Sequence, residues 1–415
     1  MPDMATPELP VPDGLVLRPF RGVRFAVEDP AKVTSPPYDL ISDSDVPELL
    51  DLHPNNVVRL ILPTGKERYG EARDTLAAWL ASGVLVPDPE PALYVYEQSG
   101  PGVLQRGVIG DLMLADPSLG IVLPHEDVMP GPVADRLALM STTQANLEPI
   151  FLLYENGPDL TMRHEPVVDT VTGDGVRHRL WALTDPSSIA AVNAALHDKR
   201  ALIADGHHRY ATYRELQRRE RAAGRGDGPW DYGLALLVDS AAYPPDLKAI
   251  HRVIPALPLQ EATARAKGAW QVHDFDHLGE ALAALEAADD PAFLLGGAEG
   301  FHLMTDPDPL QLANAMPADR SPRWNALNTA VLTEFVMPKV WGMRDDEHTV
   351  RIVHHDAVAA VELAARSHGT AVILKPLSVS HVLAVAEGGE RVPRKSTSFG
   401  PKPRTGLVLR TFAID

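Results

Sequence analysis

The residues best suited to chemistry in this chain form one run, Asp205-Gly206-His207-His208-Arg209. The apolar segment 201–204 precedes it and a helical pattern follows, so we predict a strand, a tight turn and the start of a helix. Backbone N–H groups at a helix N-terminus attract anions, and the planar guanidinium of Arg209 suits phosphate or carboxylate. Gly206 has no Cβ, so a ligand can approach the backbone closely. The run predicts a phosphate or metal–phosphate site; the alternative is a charged surface loop.

Two further segments carry groups that the same chemistry could use. Pro124-His125-Glu126-Asp127 follows another apolar strand, and a Glu at a strand end can act as a general base when its pKa is tuned. The loop 391–402 holds four basic residues and three hydroxyl groups in a chain of net charge −18, a composition that suits binding of phosphate oxygens. The alternatives are an exposed acidic turn and a basic surface loop. We predict that 124–126 and 205–209 face one pocket, over which the loop closes.

Other polar groups give weaker signals. His251-Arg252 is more typical of a structural pair. His354-His355-Asp356 could bind a metal, but adjacent residues on a strand point to opposite faces. The sequence contains no His-Glu-x-x-His motif, no Gly-x-Ser-x-Gly motif and no Gly-x-Gly-x-x-Gly fingerprint.

Composition excludes several classes of function. The net charge of −18 argues against binding to a nucleic-acid backbone, which depends on Lys and Arg. The chain has no cysteine, which excludes disulfides, thiolate nucleophiles and Cys-ligated zinc and fits a reducing cytoplasm. The N-terminus lacks the basic and apolar regions of a signal peptide, and no apolar run approaches the roughly 20 residues that span a bilayer. We therefore expect a cytoplasmic protein that binds neither nucleic acid nor membrane.

The 415 residues suffice for two or three domains, and the local patterns predict a mixed α+β fold without regular alternation of strands and helices. Predicted strands cover 57–62, 92–98, 103–114, 119–123, 149–154, 179–183, 201–204, 232–239, 247–250, 292–295, 301–304, 350–353, 371–374 and 406–410. Predicted helices cover 42–52, 69–82, a stretch ending at 140, 187–197, 208–223, 259–266, 278–287, 327–335, 357–367 and 379–387.

Six short motifs together resemble the domain-of-unknown-function family one thousand and fifteen. They are Ser35-Pro36-Pro37-Tyr38-Asp39, Pro124-His125-Glu126, Thr143-Gln144-Ala145-Asn146 before Pro149-Ile150-Phe151, Ala204–Arg209, His251-Arg252 and Lys395-Ser396-Thr397. The resemblance extends from about residue 15 to 412, and the family name supplies no activity.

A narrower resemblance does imply an activity. The order of the His-Glu segment, helix, Pro-Ile strand, apolar strand and Asp-Gly-His-His-Arg turn resembles the ParB/sulfiredoxin superfamily, and within it the free-serine kinases. Those enzymes phosphorylate the hydroxyl of L-serine with ADP or ATP. The resemblance implies a ParB/sulfiredoxin-like core at about 105–255. We accordingly expect a disordered lead at 1–12, an N-terminal α/β segment at 13–104 and a C-terminal α/β segment at 256–415.

The resemblance also implies roles for individual residues. Glu126 corresponds to the base, and Asp205, His207, His208 and Arg209 to the group that holds phosphate and metal, with Asp205 as the Mg²⁺ ligand. The complete set of predicted site residues counts Asp205 and His207 as catalytic together with Glu126. It adds phosphate ligands at the turn and in the basic loop, and supporting residues around them. The added phosphate ligands are Gly206, Lys395, Ser396, Thr397 and Lys402, and the supporting residues are Tyr38, His125, Asn146, His251 and Arg252.

Chemistry separates the members of the superfamily. Sulfiredoxins need a catalytic cysteine, which this chain lacks, and partition proteins need a DNA-binding helix-turn-helix and a basic face. The chain departs from the small kinases by about 50 residues between Pro149-Ile150-Phe151 and Asp205, and by large flanking segments. The resulting hypothesis is a nucleotide-dependent phosphotransferase with Mg²⁺ and ATP or ADP, L-serine being the leading acceptor. A nucleotide-binding regulatory module and a nucleotide hydrolase are the alternatives, and donor (ADP, ATP or CTP), acceptor, metal and oligomeric state stay open.

Overall fold

A computed structural model of the chain describes residues 9–346 and 348–414. These residues divide into two compact units. Unit 1 contains residues 9–124, 128–245 and 401–414, and unit 2 contains residues 125–127, 246–346 and 348–400. Glu126 therefore belongs to a different unit from Asp205. Residues 1–8 of the predicted lead lie outside the described part of the chain, and residues 9–12 form neither helix nor strand.

Unit 1 is built on a mixed sheet. Its strands are β1 (Leu17–Arg18), β2 (Val23–Phe25), β3 (Leu85–Pro87), β4 (Leu93–Gly100), β5 (Val103–Met113), β6 (Val122–Leu123), β7 (Ala145–Asn146), β8 (Ile150–Tyr154), β9 (Val168–Val171), β10 (Arg177–Leu183), β11 (Ala201–Asp205) and β12 (Tyr232–Asp239), with one C-terminal strand, Arg410–Thr411. Among the described residues the main sheet has nine strands in the order β6-β11-β8-β12-β5-β4-β10-β9, with β1 paired to β5. β2 pairs with β3, and Arg410–Thr411 pairs with β7.

Unit 1 also contains α-helices, the last of which packs on the central strands β8 and β12 of this sheet. They are α1 (Asp45–Leu52), α2 (Val58–Ile61), α3 (Arg68–Ala81), α4 (Pro130–Thr143), α5 (Pro186–Leu196) and α6 (His207–Ala222). Ile150 and Leu152 of β8 point to the same face, since side chains alternate along a strand, and they pack with Tyr210 and Leu216 of α6. Strands β8 and β12 are buried throughout their central residues, as expected of their continuous apolar sequences. The turn between β11 and α6 is thereby anchored at its strand end and at its helix end.

Unit 2 has its own antiparallel sheet and two hydrophobic cores. Its strands are β13 (Asp246–Lys248), β14 (Ile250–Ile254), β15 (Gln271–Phe275), β16 (Phe293–Gly297), β17 (Gly300–Thr305), β18 (Arg351–His354), β19 (Thr370–Ile373) and β20 (Ser398–Gly400), with the sheet order β15-β17-β16-β19-β14-β18 and a separate β13–β20 pair. Its helices are α7 (Leu259–Ala266), α8 (Leu278–Ala287), α9 (Pro309–Ala315), α10 (Pro322–Asn325), α11 (Asn328–Val331), α12 (Ala357–Arg366) and α13 (Val379–Glu387), and a π-helix covers Leu332–Val340.

The predicted mixed α+β fold is confirmed, and the ParB/sulfiredoxin-like core stays a prediction. The predicted strand at 57–62 is wrong, because α2 occupies Val58–Ile61. The side chain of Asn56 accepts a hydrogen bond from the N–H of Val58 at 3.0 Å, and this local turn directly precedes α2. The predicted strand at 406–410 is also wrong, since the regular pairing there covers only Arg410–Thr411. Before it the chain makes single bridges at Thr405 and Leu409 to two different segments.

None of the helices in residues 9–346 and 348–414 combines the length and the hydropathy that a bilayer-spanning segment needs.

Candidate functional site

The turn between β11 and α6 has the geometry that the sequence predicts. Strand β11 ends at Asp205 and helix α6 begins at His207. Gly206 between them has φ of 95°, a left-handed conformation that is strained for residues with a Cβ. A Cβ at this position would also lie 3.0 Å from Cγ2 of Ile150. The first amides of a helix have no partner within that helix, and with the helix dipole they favour an anion at the start of α6.

Asp205 and Arg209 form a buried ion pair across the first turn of α6. Arg209 Nη2 donates to Asp205 Oδ2, and Arg209 Nη1 donates to the carbonyl oxygen of Pro149 at 2.5 Å. The antiparallel pairing of β11 with β8 brings that carbonyl close, because Phe151 is opposite Asp205 in the register. Arg209 is only 4% exposed. Its guanidinium therefore stabilises the turn from within, and direct binding of phosphate by Arg209 stays a prediction.

Lys402 connects Asp205 to a second carboxylate. Its Nζ lies 2.5 Å from Oδ1 of Asp205 and 2.8 Å from Oδ2 of Asp39. The backbones of Ser35 and Thr405 exchange hydrogen bonds of 3.1 and 2.9 Å, which holds the segments of Asp39 and Lys402 together. Burial by itself lowers the pKa of Lys402, but the charges of Asp205 and Asp39 outweigh burial, and the pKa is raised. The ammonium is therefore charged and bridges the two carboxylates.

Glu148 is a third acidic group in the same part of unit 1. Its Oε1 accepts hydrogen bonds from the N–H of Tyr38 at 2.9 Å and from Oγ1 of Thr405 at 3.1 Å. Burial raises the pKa of Glu148, although the charges of Arg209 and Arg136 act in the opposite direction. The ring of Tyr38 packs on Arg136, with 4.5 Å from Cζ to the ring centroid, and burial raises the pKa of Tyr38 to about 12. We call Asp39, Glu148, Asp205, Arg209 and Lys402 the unit 1 cluster.

The remaining predicted residues of unit 1 lie in different environments. His207 is buried, whereas His208 is half-buried and its Nε2 accepts a hydrogen bond from the N–H of Met129 at 3.1 Å. The Oδ1 of Asn146 accepts from Arg410 Nη1 at 2.9 Å. Asn146 also lines, with Glu148 and Arg209, a small pocket. Asn146 thus contacts the cavity beside the unit 1 cluster.

The donor set of the unit 1 cluster does not fit a Mg²⁺ ion at Asp205. Protein cations engage both carboxylate oxygens, Lys402 at Oδ1 and Arg209 at Oδ2. Mg²⁺ binds such oxygens at about 2.0–2.1 Å and would have to displace one of these cations. Across residues 9–346 and 348–414, no three His, Asp or Glu side chains are arranged to hold a metal ion.

Glu126 belongs to a separate group of residues in unit 2. Its Oε1 accepts hydrogen bonds from Oγ1 of Thr397 at 2.9 Å and from the N–H of Thr397 at 3.3 Å. The same Oγ1 lies 2.7 Å from Nε2 of His125. When Glu126 is ionised, the hydroxyl proton of Thr397 is directed to its carboxylate, and Nε2 of His125 is then the donor in the second contact.

The electrostatics of Glu126 suit proton transfer. Burial raises its pKa, while the hydrogen bonds from Thr397 and the charge of Lys395 act in the opposite direction. The side chain is half-buried. A carboxylate with a pKa shifted toward neutral pH is able to accept a proton from a substrate at physiological pH.

The basic loop is fastened to this segment and to strand β14. The N–H of Val392 donates to the carbonyl of His125 at 2.8 Å, and Arg391 Nη1 donates to the carbonyl of Glu126 at 2.9 Å. Arg252 Nη2 donates to the carbonyls of Arg394 and Lys395, both at 3.1 Å.

Arg252 also pairs with Asp345, and both side chains are almost fully buried. Lys395 has φ of 52°, and Oγ of Ser396 donates to the carbonyl of Pro393 at 2.5 Å. The carbonyl contacts of Arg252 thus lie at a strained residue of the loop.

His251, next to Arg252 on β14, accepts a hydrogen bond from the N–H of Leu374 at 3.3 Å, and burial lowers the pKa of His251 to about 4.

The predicted site residues thus form two groups. Unit 1 brings together Tyr38, Asp205, Arg209 and Lys402, and unit 2 brings together His125, Glu126, Lys395, Thr397 and Arg252. The expectation that 124–126 and 205–209 face one pocket stays a prediction, as do the functional roles of all these residues.

Sequence reasoning missed Asp39, Glu148 and Asp345. Asp39 ends the Ser-Pro-Pro-Tyr-Asp motif and Glu148 directly precedes Pro149, so both stood within or beside segments already singled out. Asp345 lies in an irregular segment and gave no signal.

Comparison with known proteins gives a family and distant structural similarity. A family model described as "Protein of unknown function (DUF1015)" matches residues 17–330. A search of the curated proteins finds no match.

Among solved structures, a free serine kinase in complex with AMP is 14% identical, with a TM-score of 0.38 over 74% of this chain and 93% of that chain. SbnI with a C-terminal truncation, from Staphylococcus aureus, is 11% identical, with a TM-score of 0.38 over 74% of this chain and 88% of that chain. A conserved hypothetical protein from Pyrococcus furiosus is 13% identical, with a TM-score of 0.37 over 74% of this chain and 95% of that chain. Likeness at this level transfers neither ligand nor reaction to this chain.

Proposed function

Because the chain belongs to the DUF1015 family of unknown function, we propose a function from its own residues: nucleotide-dependent phosphorylation of a small hydroxyl compound. The observation that carries the proposal is the half-buried carboxylate of Glu126, oriented by Thr397 and raised in pKa by burial. Residues with strongly perturbed pKa values and fixed orientation are concentrated at functional sites. A binding module without turnover would not require such a group.

In the proposed reaction, Glu126 acts as the general base. The oxygen of the substrate hydroxyl attacks the terminal phosphorus of ATP or ADP, and its proton passes to the carboxylate of Glu126. The bond between that phosphorus and the bridging oxygen breaks, and the departing nucleotide keeps the electron pair. The raised pKa matches Glu126 to this role, because a weakly basic carboxylate would take the proton less readily.

The start of α6 is the proposed binding point for the nucleotide phosphates. Its first amides and the helix dipole favour anionic oxygens, and the left-handed conformation of Gly206 joins the end of β11 to the start of α6. Arg209 and Lys402 hold Asp205 at this turn, so their proposed contribution is to position the turn. Phosphoryl transfer depends mostly on positioning and charge stabilisation, which these groups supply.

The proposed acceptor is L-serine. This choice rests on the resemblance of the Pro-His-Glu and Asp-Gly-His-His-Arg motifs to those of free-serine kinases. Other hydroxy amino acids share the reacting group and belong in the same experiment.

The test incubates the purified full chain with Mg²⁺, with ATP, ADP or CTP in turn, and with a pool of hydroxy amino acids. Phosphorus NMR then detects a phosphate ester. Glu126→Gln keeps the size and most hydrogen bonding of the side chain but cannot accept the proton. We expect its turnover to fall by roughly 10²–10⁴-fold, with nucleotide affinity nearly unchanged.

Asp127→Asn is the matched control, because it removes the adjacent carboxylate, whose side chain is 81% exposed. We expect its turnover to stay close to that of the wild type. Equal turnover in Glu126→Gln and Asp127→Asn would contradict the role of Glu126. Nucleotide binding without any product in the wild type would favour a regulatory module, and release of inorganic phosphate alone would favour a hydrolase.

A further inference from the structure

The ammonium of Lys402 lies where two carboxylates would otherwise present oxygens to a metal ion. It is 2.5 Å from Asp205 and 2.8 Å from Asp39, and its side chain is 13% exposed. We propose that Lys402 is a built-in counter-cation that keeps divalent metal ions out of the Asp39–Asp205 pair, and that its removal turns this pair into a divalent-cation site. The proposal concerns these three side chains and does not depend on any nucleotide reaction.

The charges of the surrounding groups support this assignment. Lys402 contacts one oxygen of Asp205 and one of Asp39, and Arg209 pairs with the other oxygen of Asp205. The side chain of Asp205 is only 9% exposed, and an unpaired buried charge is strongly unfavourable. An arriving divalent ion would therefore compete with an ammonium that the fold already holds in place.

The position of the lysine is also fixed by the backbone. Lys402 precedes Thr405 by three residues, and Thr405 is paired through its backbone with Ser35, four residues before Asp39. This main-chain pairing fixes the segments of Lys402 and Asp39 relative to each other, and Asp205 is fixed separately by the pairing of β11 with β8. We therefore expect both carboxylates to keep their positions when only the Lys402 side chain is replaced. Two carboxylates at one point, with their cation removed, supply hard oxygen ligands of the kind that Mg²⁺ and Mn²⁺ prefer.

Unit 2 provides a matched control. Lys375 has almost the same exposure as Lys402, 14% of its side chain, and its Nζ lies 2.6 Å from Oδ1 of Asp290 and 2.6 Å from the carbonyl of Ala288. Lys375 thus contacts one carboxylate, whereas Lys402 contacts two. Removal of Lys375 should therefore leave too few anionic ligands for tight binding of a divalent ion.

The experiment measures binding of Mn²⁺ alone by electron paramagnetic resonance, with the full-length wild type, Lys402→Met and Lys375→Met. We expect one additional site in Lys402→Met, with an affinity at least about tenfold above that of the wild type. Lys375→Met should bind Mn²⁺ as the wild type does. Asp39→Asn in the Lys402→Met background should abolish the additional site, and Mg²⁺ should compete for it.

Two results would overturn the proposal. The first is that neither Lys402→Met nor Lys402→Gln binds Mn²⁺ more tightly than the wild type. The other is a wild-type site of equal affinity that Asp39→Asn removes, since the pair would then bind metal despite the lysine. If both lysine variants unfold, they are refolded with and without millimolar Mn²⁺. The proposal requires Mn²⁺ to restore the folded protein, and failure to do so also overturns it.

Discussion

Replacement of Arg209 by methionine should destabilise unit 1 by about 3 kcal/mol. The guanidinium is almost fully buried and donates to Asp205 and to the carbonyl of Pro149. Removal of one partner from a buried ion pair costs about 3–5 kcal/mol. Lys402 still contacts the other oxygen of Asp205, so we expect a value at the lower end of that range. Methionine retains much of the side-chain volume. The decrease in the free energy of unfolding should therefore come from the lost polar contacts and not from a cavity.

The same variant should show a definite pH dependence. The charge of Arg209 lowers the pKa of Glu148, which burial has raised, so its removal raises that pKa further. A carboxyl group with a folded-state pKa above its unfolded value adds most stability at low pH and loses this contribution as pH rises through the folded-state pKa. The destabilisation by Arg209→Met should accordingly be smaller in mildly acidic buffer than in mildly basic buffer.

Hydrogen–deuterium exchange of peptides from β8 and β11 would measure this change, because two compact units need not unfold together. Arg218→Met is the control on the same helix. That arginine is half-exposed and paired with Glu215, so its removal should change stability by no more than about 0.5 kcal/mol. Asp205→Asn combined with Arg209→Met should recover part of the loss. If Arg209→Met costs no more than Arg218→Met, the inward ion pair does not stabilise the turn.

Two further predictions concern proton transfer and acid stability. Thr397→Val should shift the acidic limb of the pH–rate profile to higher pH, because the hydroxyl of Thr397 lowers the pKa of Glu126. Thr397→Ser keeps the hydroxyl and should leave this limb in place. An unshifted profile in Thr397→Val would argue against Glu126 as the base. Burial lowers the pKa of His178 to about 4. As pH falls, the imidazole is therefore protonated in the unfolded chain before it is protonated in the folded chain. The free energy of unfolding should fall by up to about 3 kcal/mol between pH of about 6.5 and 4. Urea unfolding should show that the free energy of unfolding falls less steeply with decreasing pH in His178→Gln than in the wild type. An equal dependence on pH in both proteins would contradict the role of His178.

The local part of the candidate site could be predicted from the sequence. The β11–α6 turn follows from an apolar run, one glycine and a helical pattern, and these signals lie within a few residues of one another. The helix at Val58–Ile61 was missed for a related reason: a short apolar run fits a buried strand and a buried helix equally well. In the folded chain the side chain of Asn56 forms a turn with the N–H of Val58 directly before this helix.

The long-range part of the site could not be predicted in the same way. The contact between Lys402 and Asp39 spans 363 positions, and that between Thr397 and Glu126 spans 271. Strand pairing and register decide such contacts, and a single sequence does not state which distant segments pair. The motifs indicated that these residues belong to a site but not which residue contacts which.

Arg209 shows why residue type alone does not determine the role of a side chain. A guanidinium beside a helix N-terminus is suited to phosphate, and the sequence supports that interpretation. In the folded chain, however, the carboxylate of Asp205 and the carbonyl of Pro149 are buried within reach, and each needs a hydrogen-bond donor. Arg209 meets those needs before any ligand arrives. We therefore assign the proposed anion contact to the backbone amides of α6, while Arg209 holds Asp205 and the carbonyl of Pro149 at the turn.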